Sequence, residues 1–393
     1  MANVQKRGDS YRIRVYCGTD SKGKKIMRST TFTPDKSMTP RQVEKALTKA
    51  VVEFEENALN SSYIKHMKLK LADFCPQYLE NVKQQLSPKT YENYERAIDN
   101  YIIPALGHLY LKDIRPVHIQ KFVNMMSGDG VRKDKRGKRL APSTVHRYYV
   151  ILQSIMHNAY SLELIPSNPT DRSKVKLPGL EEEKIEIYTK DQAEDMLNCL
   201  EEEPLIYQLL IHLAFVTGAR RGELVALKWE DIDFSENTVK IRRSNYKLKG
   251  EEIQSKATKT GKERTVAIPQ YCVELLKAHR SEQALQRLSI GDQWINGNWV
   301  FTQWNGRPMC PTTPTQWFSK FQKRHGLPHK KFHALRHSSA TLLLGEGTNI
   351  KNVAARLGHT KITTTNRYLH AIEKADKQAA NIFEDIFSPR KKA

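Results

Sequence analysis

Hydrophobic periodicity divides the chain into three stretches. Residues 11–17 set Tyr11, Ile13, Val15 and Cys17 on one face and Arg12, Arg14 and Tyr16 on the other, the alternation of a half-buried strand. A Gly/Lys turn follows, and KIMRSTTF reads as the returning strand of a small basic sheet. Thr39-Pro40-Arg41-Gln42 then opens a helix with a cap residue, a proline at the first helical position and a glutamine at the third. Val43, Leu47, Ala50, Val51 and Phe54 line one face of it. The exposed sheet face, with its arginines and one aromatic ring, suits a polyanion backbone and plain solvation equally well.

Near Leu69 the period changes to that of helices. They are expected over residues 70–84, from Ser87-Pro88 to about 103, over 115–127 and over 143–162, with Pro104 and Gly107 separating the second from the third. GDGVRKDKRGKRLAP, between the last two, is a basic loop carrying Lys133, Arg136 and Arg139. Residues 167–186 mix Pro, Gly and charge without a period and read as an interdomain linker. Thr189-Lys190-Asp191-Gln192 is another helix start, and helical character holds through TGARRGELVALKW. Residues 238–268 alternate like strands before helices resume. The fold class is therefore mainly α with small β-sheets (α+β): an N-terminal three-stranded sheet plus helix, a helical bundle, and a mixed helical domain with a small inserted sheet.

Composition narrows the partner. The chain has 393 residues, 39% of them hydrophobic, and a net charge of +21. The surplus is uneven: +8 over residues 1–50, +7 over 101–150 and +11 over 301–393, separated by neutral or acidic stretches. Basic regions repeated in separate modules point to nucleic acid touched at several places. No apolar run approaches the ~20 residues of a membrane span, and no apolar segment follows the basic start as in a secretory signal, so the chain reads as intracellular. The five cysteines are scattered without a C-x-x-C pair, so neither a disulfide framework nor a cysteine zinc site is expected.

The third stretch holds the candidate chemistry. Arg220 and Arg336 offer planar forks suited to phosphate oxygens. Taken alone, Arg220 and Glu223 also read as a solvated i,i+3 ion pair, and His333 and His337 as a surface pair or half a metal site. Tyr368 reads either as a core aromatic or, beside the polar run TTTNR, as an accessible phenol; nothing in the local pattern demands burial.

Five boxes occur in order: TGARRGELVALKW (217–229), KTGKERTVAIP (259–269), HALRH (333–337), LGH (357–359) and TTTNRYLH (363–370). Together they resemble the signature of the tyrosine recombinases, the phage integrase family, and most closely integrases of phages and conjugative transposons. The resemblance implies a site-specific DNA recombinase that cuts and rejoins strands through a 3′-phosphotyrosyl intermediate. Tyr368 would be the nucleophile, Arg220 and Arg336 the phosphate clamp, and His333 a candidate base. Lys259 would be the general acid, with Lys262 close enough to leave that assignment open. His359 would hydrogen-bond the phosphate and Glu223 would steady the site.

The resemblance further implies an arm-type DNA-binding domain over 1–65, a core-type DNA-binding domain over 66–172, a linker over 173–186 and a catalytic domain over 187–393. Arg12, Arg14, Lys133, Arg136 and Arg139 are candidate DNA contacts. Partners would be double-stranded DNA at core and arm-type sites, a homotetramer on that DNA, and accessory excision or DNA-bending proteins in a bacterial cytoplasm, with no membrane. No cofactor is expected: the bond energy would stay in the phosphotyrosine, and the sequence has no Gly-x-x-x-x-Gly-Lys-Ser/Thr loop. The alternatives are a type IB topoisomerase-like enzyme and a DNA-binding regulator without chemistry.

Overall fold

In the computed structural model the chain forms two compact units, Met1–Glu181 and Glu182–Ala393. The structure describes residues 2–19, 25–35, 37–62, 69–132, 139–180, 185–258, 261, 263–366 and 368. It is mostly helical with small antiparallel sheets, as the periodicity indicates.

The first unit opens with β1 (Asn3–Arg7), β2 (Ser10–Thr19) and β3 (Lys25–Phe32), an antiparallel sheet in that order. All five residues of β1 are exposed, which is why alternation does not delimit it; pairing of Val4 with Ile13 sets its register. Ile13 and Val15 are buried while Arg14 and Tyr16 are exposed, so β2 has the two faces its sequence implies. The helix α1 (Pro40–Ser62) packs on β2 and β3, and its first turn is fixed by Thr39 N–H donating to Gln42 Oε1 at 2.8 Å.

The helices α2 (Leu71–Val82), α3 (Pro88–Ala97), α4 (Ile103–Leu106), α5 (Pro116–Ser127) and α6 (Pro142–Ser161) enclose a core that includes Phe74, Tyr78, Ile98, Phe122 and Tyr149. Pro104 does not end the helix that Ser87 caps. A wide π turn over Ile98–Ile102 absorbs the lost backbone donor, and the helix continues to Leu106. The segment after α6 is fastened to the bundle at three points. Tyr149 Oη donates to Thr170 O (2.6 Å), Lys176 N–H donates to Gln120 Oε1 (2.7 Å), and a His146 ring nitrogen bonds Pro178 O (2.7 Å). The backbone groups of Thr170, Lys176 and Pro178 thus find partners on α5 and α6, contacts that a count of Pro and Gly does not capture.

The second unit runs through α7 (Lys190–Leu200), α8 (Leu205–Thr217) and the single turn α9 (Arg221–Leu224). A sheet of β4 (Ile232–Asp233), β5 (Thr238–Ile241) and β8 (Arg264–Ala267) follows, with a separate hairpin of β6 (Arg243–Lys247) and β7 (Ile253–Ala257). Then come α10 (Gln270–Ile290), α11 (Thr313–Arg324), α12 (Ala334–Gly345), α13 (Ile350–Leu357) and α14 (Thr363–Asn366). The helix α8 is apolar on nearly every side because α10 and α12 pack against it. Leu209, Leu210, Leu213, Phe301, Phe318 and Phe321 form the center of this core. Each such side chain contributes about 1.5–3 kcal/mol by burial, which makes α8 and α12 a firm mount for the residues at their ends. No described helix is long and apolar enough to cross a membrane.

Candidate active site

Two sharp turns build the site from the first box. The helix α8 stops at Gly218, whose φ of 59° is left-handed, and the chain restarts at once as α9. Arg220 is the N-cap of α9, and Glu223 reaches back to accept its backbone N–H at 3.0 Å. The same carboxylate accepts from Arg220 Nη1 at 2.8 Å and from Arg264 Nη2 at 2.6 Å. Only 1% of the Glu223 side chain is exposed, so the pair is a buried brace rather than a solvated surface contact. Burial alone would raise its pKa, but Arg264 and Arg220 outweigh it and hold the carboxyl below the ordinary range. Arg221 turns away and donates to Thr315 Oγ1 at 2.7 Å, leaving Arg220 as the arginine of this pair that faces the cavity.

Arg336, on the first turn of α12, is 2% exposed. Its guanidinium donates to Gly218 O (2.6 Å) and Leu357 O (2.8 Å), tying together the ends of α8, α12 and α13. Burial first, then the charge of Arg220, brings its pKa down to about 10, which leaves it cationic at neutral pH. Gly358 ends α13 with a φ of 68°, and His359 follows with Nδ1 2.8 Å from Thr365 Oγ1.

Arg220, Arg336 and His359 line one cavity of about 600 Å³, together with His333, His337 and Tyr368. Tyr368 is 3% exposed and packs with Ala340, Val353 and Leu357, so of the two readings its sequence allows the ring takes the buried one. Its hydroxyl is 3.0 Å from His337 Nδ1. Protein atoms around His333, then the charges of His337, Arg336 and Arg220, push its pKa down to about 4. His333 is nonetheless exposed to solvent, and it stands as a neutral imidazole at pH 7. His359 is likewise lowered to about 4 by burial, then by Arg336 and Arg220.

Arg220, Glu223, His333, Arg336, His359 and Tyr368 are thus brought together. Lys259 and Lys262 lie outside the described residues, as do Lys133, Arg136 and the chain after Tyr368. Arg12 and Arg14 sit on the outward face of β2, whereas Arg139 is engaged with Asp129 through two hydrogen bonds of 2.6 and 3.3 Å. Sequence reasoning missed His337, read as half of a surface pair, and Arg264, whose partner stands 41 residues earlier. The H-x-x-x-H spacing on α12 is the one local signal that points to His337. Among the described residues no group of three or more His, Cys, Asp or Glu is placed to hold a metal ion.

The same stretch matches the model of the phage integrase family over residues 186–375, and residues 70–127 match the N-terminal SAM-like domain of phage integrases. A tyrosine recombinase XerC-like protein of Caldanaerobacter subterraneus subsp. tengcongensis is 30% identical over 405 residues, covering 98% of each chain. The chain belongs to the tyrosine recombinases of the phage integrase family. It is a site-specific recombinase, an enzyme of DNA strand breakage and rejoining. The ICEBs1 integrase of Bacillus subtilis is 25% identical over 310 residues, 79% of this recombinase and 81% of that protein. Among solved structures, the Tn1549 transposon integrase in complex with a circular intermediate DNA superposes with a TM-score of 0.64 at 20% identity. That match covers 79% of the recombinase and 99% of the other chain, and shows a shared fold.

Proposed function

We propose that the cavity binds one phosphodiester of double-stranded DNA and that Tyr368 opens it, leaving a 3′-phosphotyrosyl link and a free 5′ hydroxyl. The observation that carries this reading is the convergence of Tyr368 with Arg220 and Arg336 on one cavity. Two fixed guanidiniums stabilise the charge that develops on the non-bridging oxygens, and because Glu223, Gly218 and Leu357 already hold them they need not reorganise during the step. His359, oriented by Thr365, supplies a further hydrogen bond to the phosphate. His333, which lines the same cavity, is the base that the resemblance implies, and Lys259 is the proposed acid for the 5′ oxygen.

DNA is the natural partner for the charge distribution, and the Tn1549 integrase, which shares the fold, is seen bound to it. Residues 1–65 would take the arm-type site and 66–172 the core-type site, with 173–186 as linker and 187–393 as catalytic domain. Arg12, Arg14, Lys133, Arg136 and Arg139 would supply salt-sensitive contacts. A homotetramer on two sites, accessory excision or DNA-bending proteins, and the cytoplasm of a bacterium carrying a mobile element complete the proposal. A nicked suicide duplex carrying the crossover sequence should trap the wild-type protein covalently and fail to trap Tyr368→Phe. If a site that the wild-type protein binds and recombines yields no tyrosine-linked adduct, the reading is wrong.

A further inference from the structure

The imidazole that meets the nucleophile is not the one the third box suggests. His337 follows His333 by one helical turn, so both rings and Arg336 share one face of α12. The two rings meet edge to face with centroids 4.6 Å apart, and it is His337 Nδ1 that stands 3.0 Å from the Tyr368 hydroxyl. The His359 ring is roughly parallel to that of Tyr368 with centroids 6.1 Å apart, and its Nδ1 is already engaged by Thr365.

We infer that His337 is a catalytic residue of the recombinase: its Nδ1 accepts the Tyr368 proton during cleavage and returns it during rejoining. The inference rests on the phosphotyrosyl reading above. In the forward step the Tyr368 O–H bond breaks and its proton passes to Nδ1. The phenolic oxygen forms the bond to phosphorus while the bond from phosphorus to the 5′ oxygen breaks, and that oxygen leaves with a proton from the proposed acid, Lys259. Rejoining runs the same transfers in reverse. His333 is then left to face the phosphate with Arg220 and Arg336.

Two observations favor this division of labor. A candidate base must lie within hydrogen-bond reach of the proton it takes, and His337 does so before any substrate arrives. The surrounding titratable and charged groups are His333 and Arg336 on its own helix, Arg220 at the start of α9, His359 after α13, Tyr368, and Glu186 and Lys331 on the cavity wall. Within that set His333 and His359 both resist protonation, so neither competes for the phenol's proton.

The test is single-turnover cleavage of a nicked suicide duplex that wild-type protein has been shown to cleave, measured from pH 5.5 to 9.5 with His337→Asn, His337→Ala and His333→Asn. Asparagine places an acceptor near the position of Nδ1 but takes no proton in this range, so it preserves a merely positioning contact. Both His337 variants should bind the duplex as wild type does and cleave it on the order of 10²-fold more slowly at pH 7. Their rates should climb with pH toward the ordinary phenol range of about 10, without the imidazole-limited acid limb of the wild type. Recovery of nearly wild-type rate and profile by His337→Asn would reduce the contact to positioning and overturn the inference. Loss of the acid limb in His333→Asn but not in His337→Asn would move the proton to His333, again overturning it. Absence of any adduct with wild-type protein on a duplex it binds would instead refute the phosphotyrosyl reading, and the inference with it.

Discussion

Arg264, on β8, reaches Glu223 on α9 with Nη2 2.6 Å from Oε2, while its Nε donates to Arg356 O at 2.8 Å. One guanidinium thereby joins β8, the carboxylate that braces Arg220, and the last turn of α13. The Arg264 side chain is 9% exposed and that of Glu223 1%. Removing Arg264 leaves Glu223 paired with Arg220 alone and takes away two buried hydrogen bonds, a loss on the order of 1–3 kcal/mol. Arg264→Met should therefore lower stability by about that amount in denaturant unfolding, and slow cleavage more than it weakens DNA binding. A variant as stable and as fast as wild type would show that the brace is dispensable.

Acid sensitivity follows from three groups. Glu223 titrates below the ordinary carboxylate range when folded, so its contribution is present above that range and disappears as pH falls through the folded value. His333 and His359 are lowered from 6.5 to about 4, so the unfolded chain takes up their protons first and stability falls as pH drops from 6.5 toward 4. Unfolding midpoints measured between pH 7.5 and 4 should fall less steeply for the double variant His333→Asn, His359→Asn than for wild type. Parallel curves would show that these imidazoles do not differ between the folded and unfolded states.

Gly218 carries a sharper steric demand than Gly358. A Cβ on Gly218 would lie 2.3 Å from Leu357 Cδ2, and Leu357 is fully buried. On Gly358 a Cβ would meet the Arg264 guanidinium at 2.9 Å. Both positions have positive φ, which itself costs about 1–2 kcal/mol for a side-chain-bearing residue. Gly218→Ala should lose about 1–3 kcal/mol more from overpacking. Gly358→Ala should lose less stability but displace Arg264, reducing cleavage; thermal unfolding together with adduct formation separates the two effects.

Arg336→Lys should retain DNA binding and lose most cleavage, because an ammonium cannot reproduce a planar fork that already spans Gly218 O and Leu357 O. The buried hydrogen bonds make a second outcome measurable, a stability loss of about 1–3 kcal/mol from the carbonyl left unpaired. Cleavage and binding falling together would mean that Arg336 serves binding alone.

Arg14 faces outward on β2 and Arg12 lies beside it, with Nη2 3.4 Å from Ser29 Oγ. If each neutralises one phosphate of the arm-type site, Arg12→Ala and Arg14→Ala should each reduce the slope of log affinity against log salt by about one. Unchanged slopes on a duplex that the N-terminal residues protect would assign that sheet face to solvent.

Much of this protein is legible in its sequence wherever the cause is local. Alternation set the faces of β2, cap residues set the starts of α1, α3 and α7, and the spacing of Arg220 and Glu223 put both on one turn. The ordered boxes gave the family and its candidate nucleophile. Tertiary structure decided what depends on long-range approach. Tyr368 is buried because Val353 and Leu357 of α13 pack against it, which its polar neighbours do not reveal. Arg264 finds Glu223 only when β8 folds beside α9, and Arg336 becomes a two-carbonyl clamp only where the ends of α8 and α13 meet. The choice between His333 and His337 is of the same kind. A helix presents both rings on one face, and only the tertiary position of Tyr368 determines which of them receives its hydroxyl.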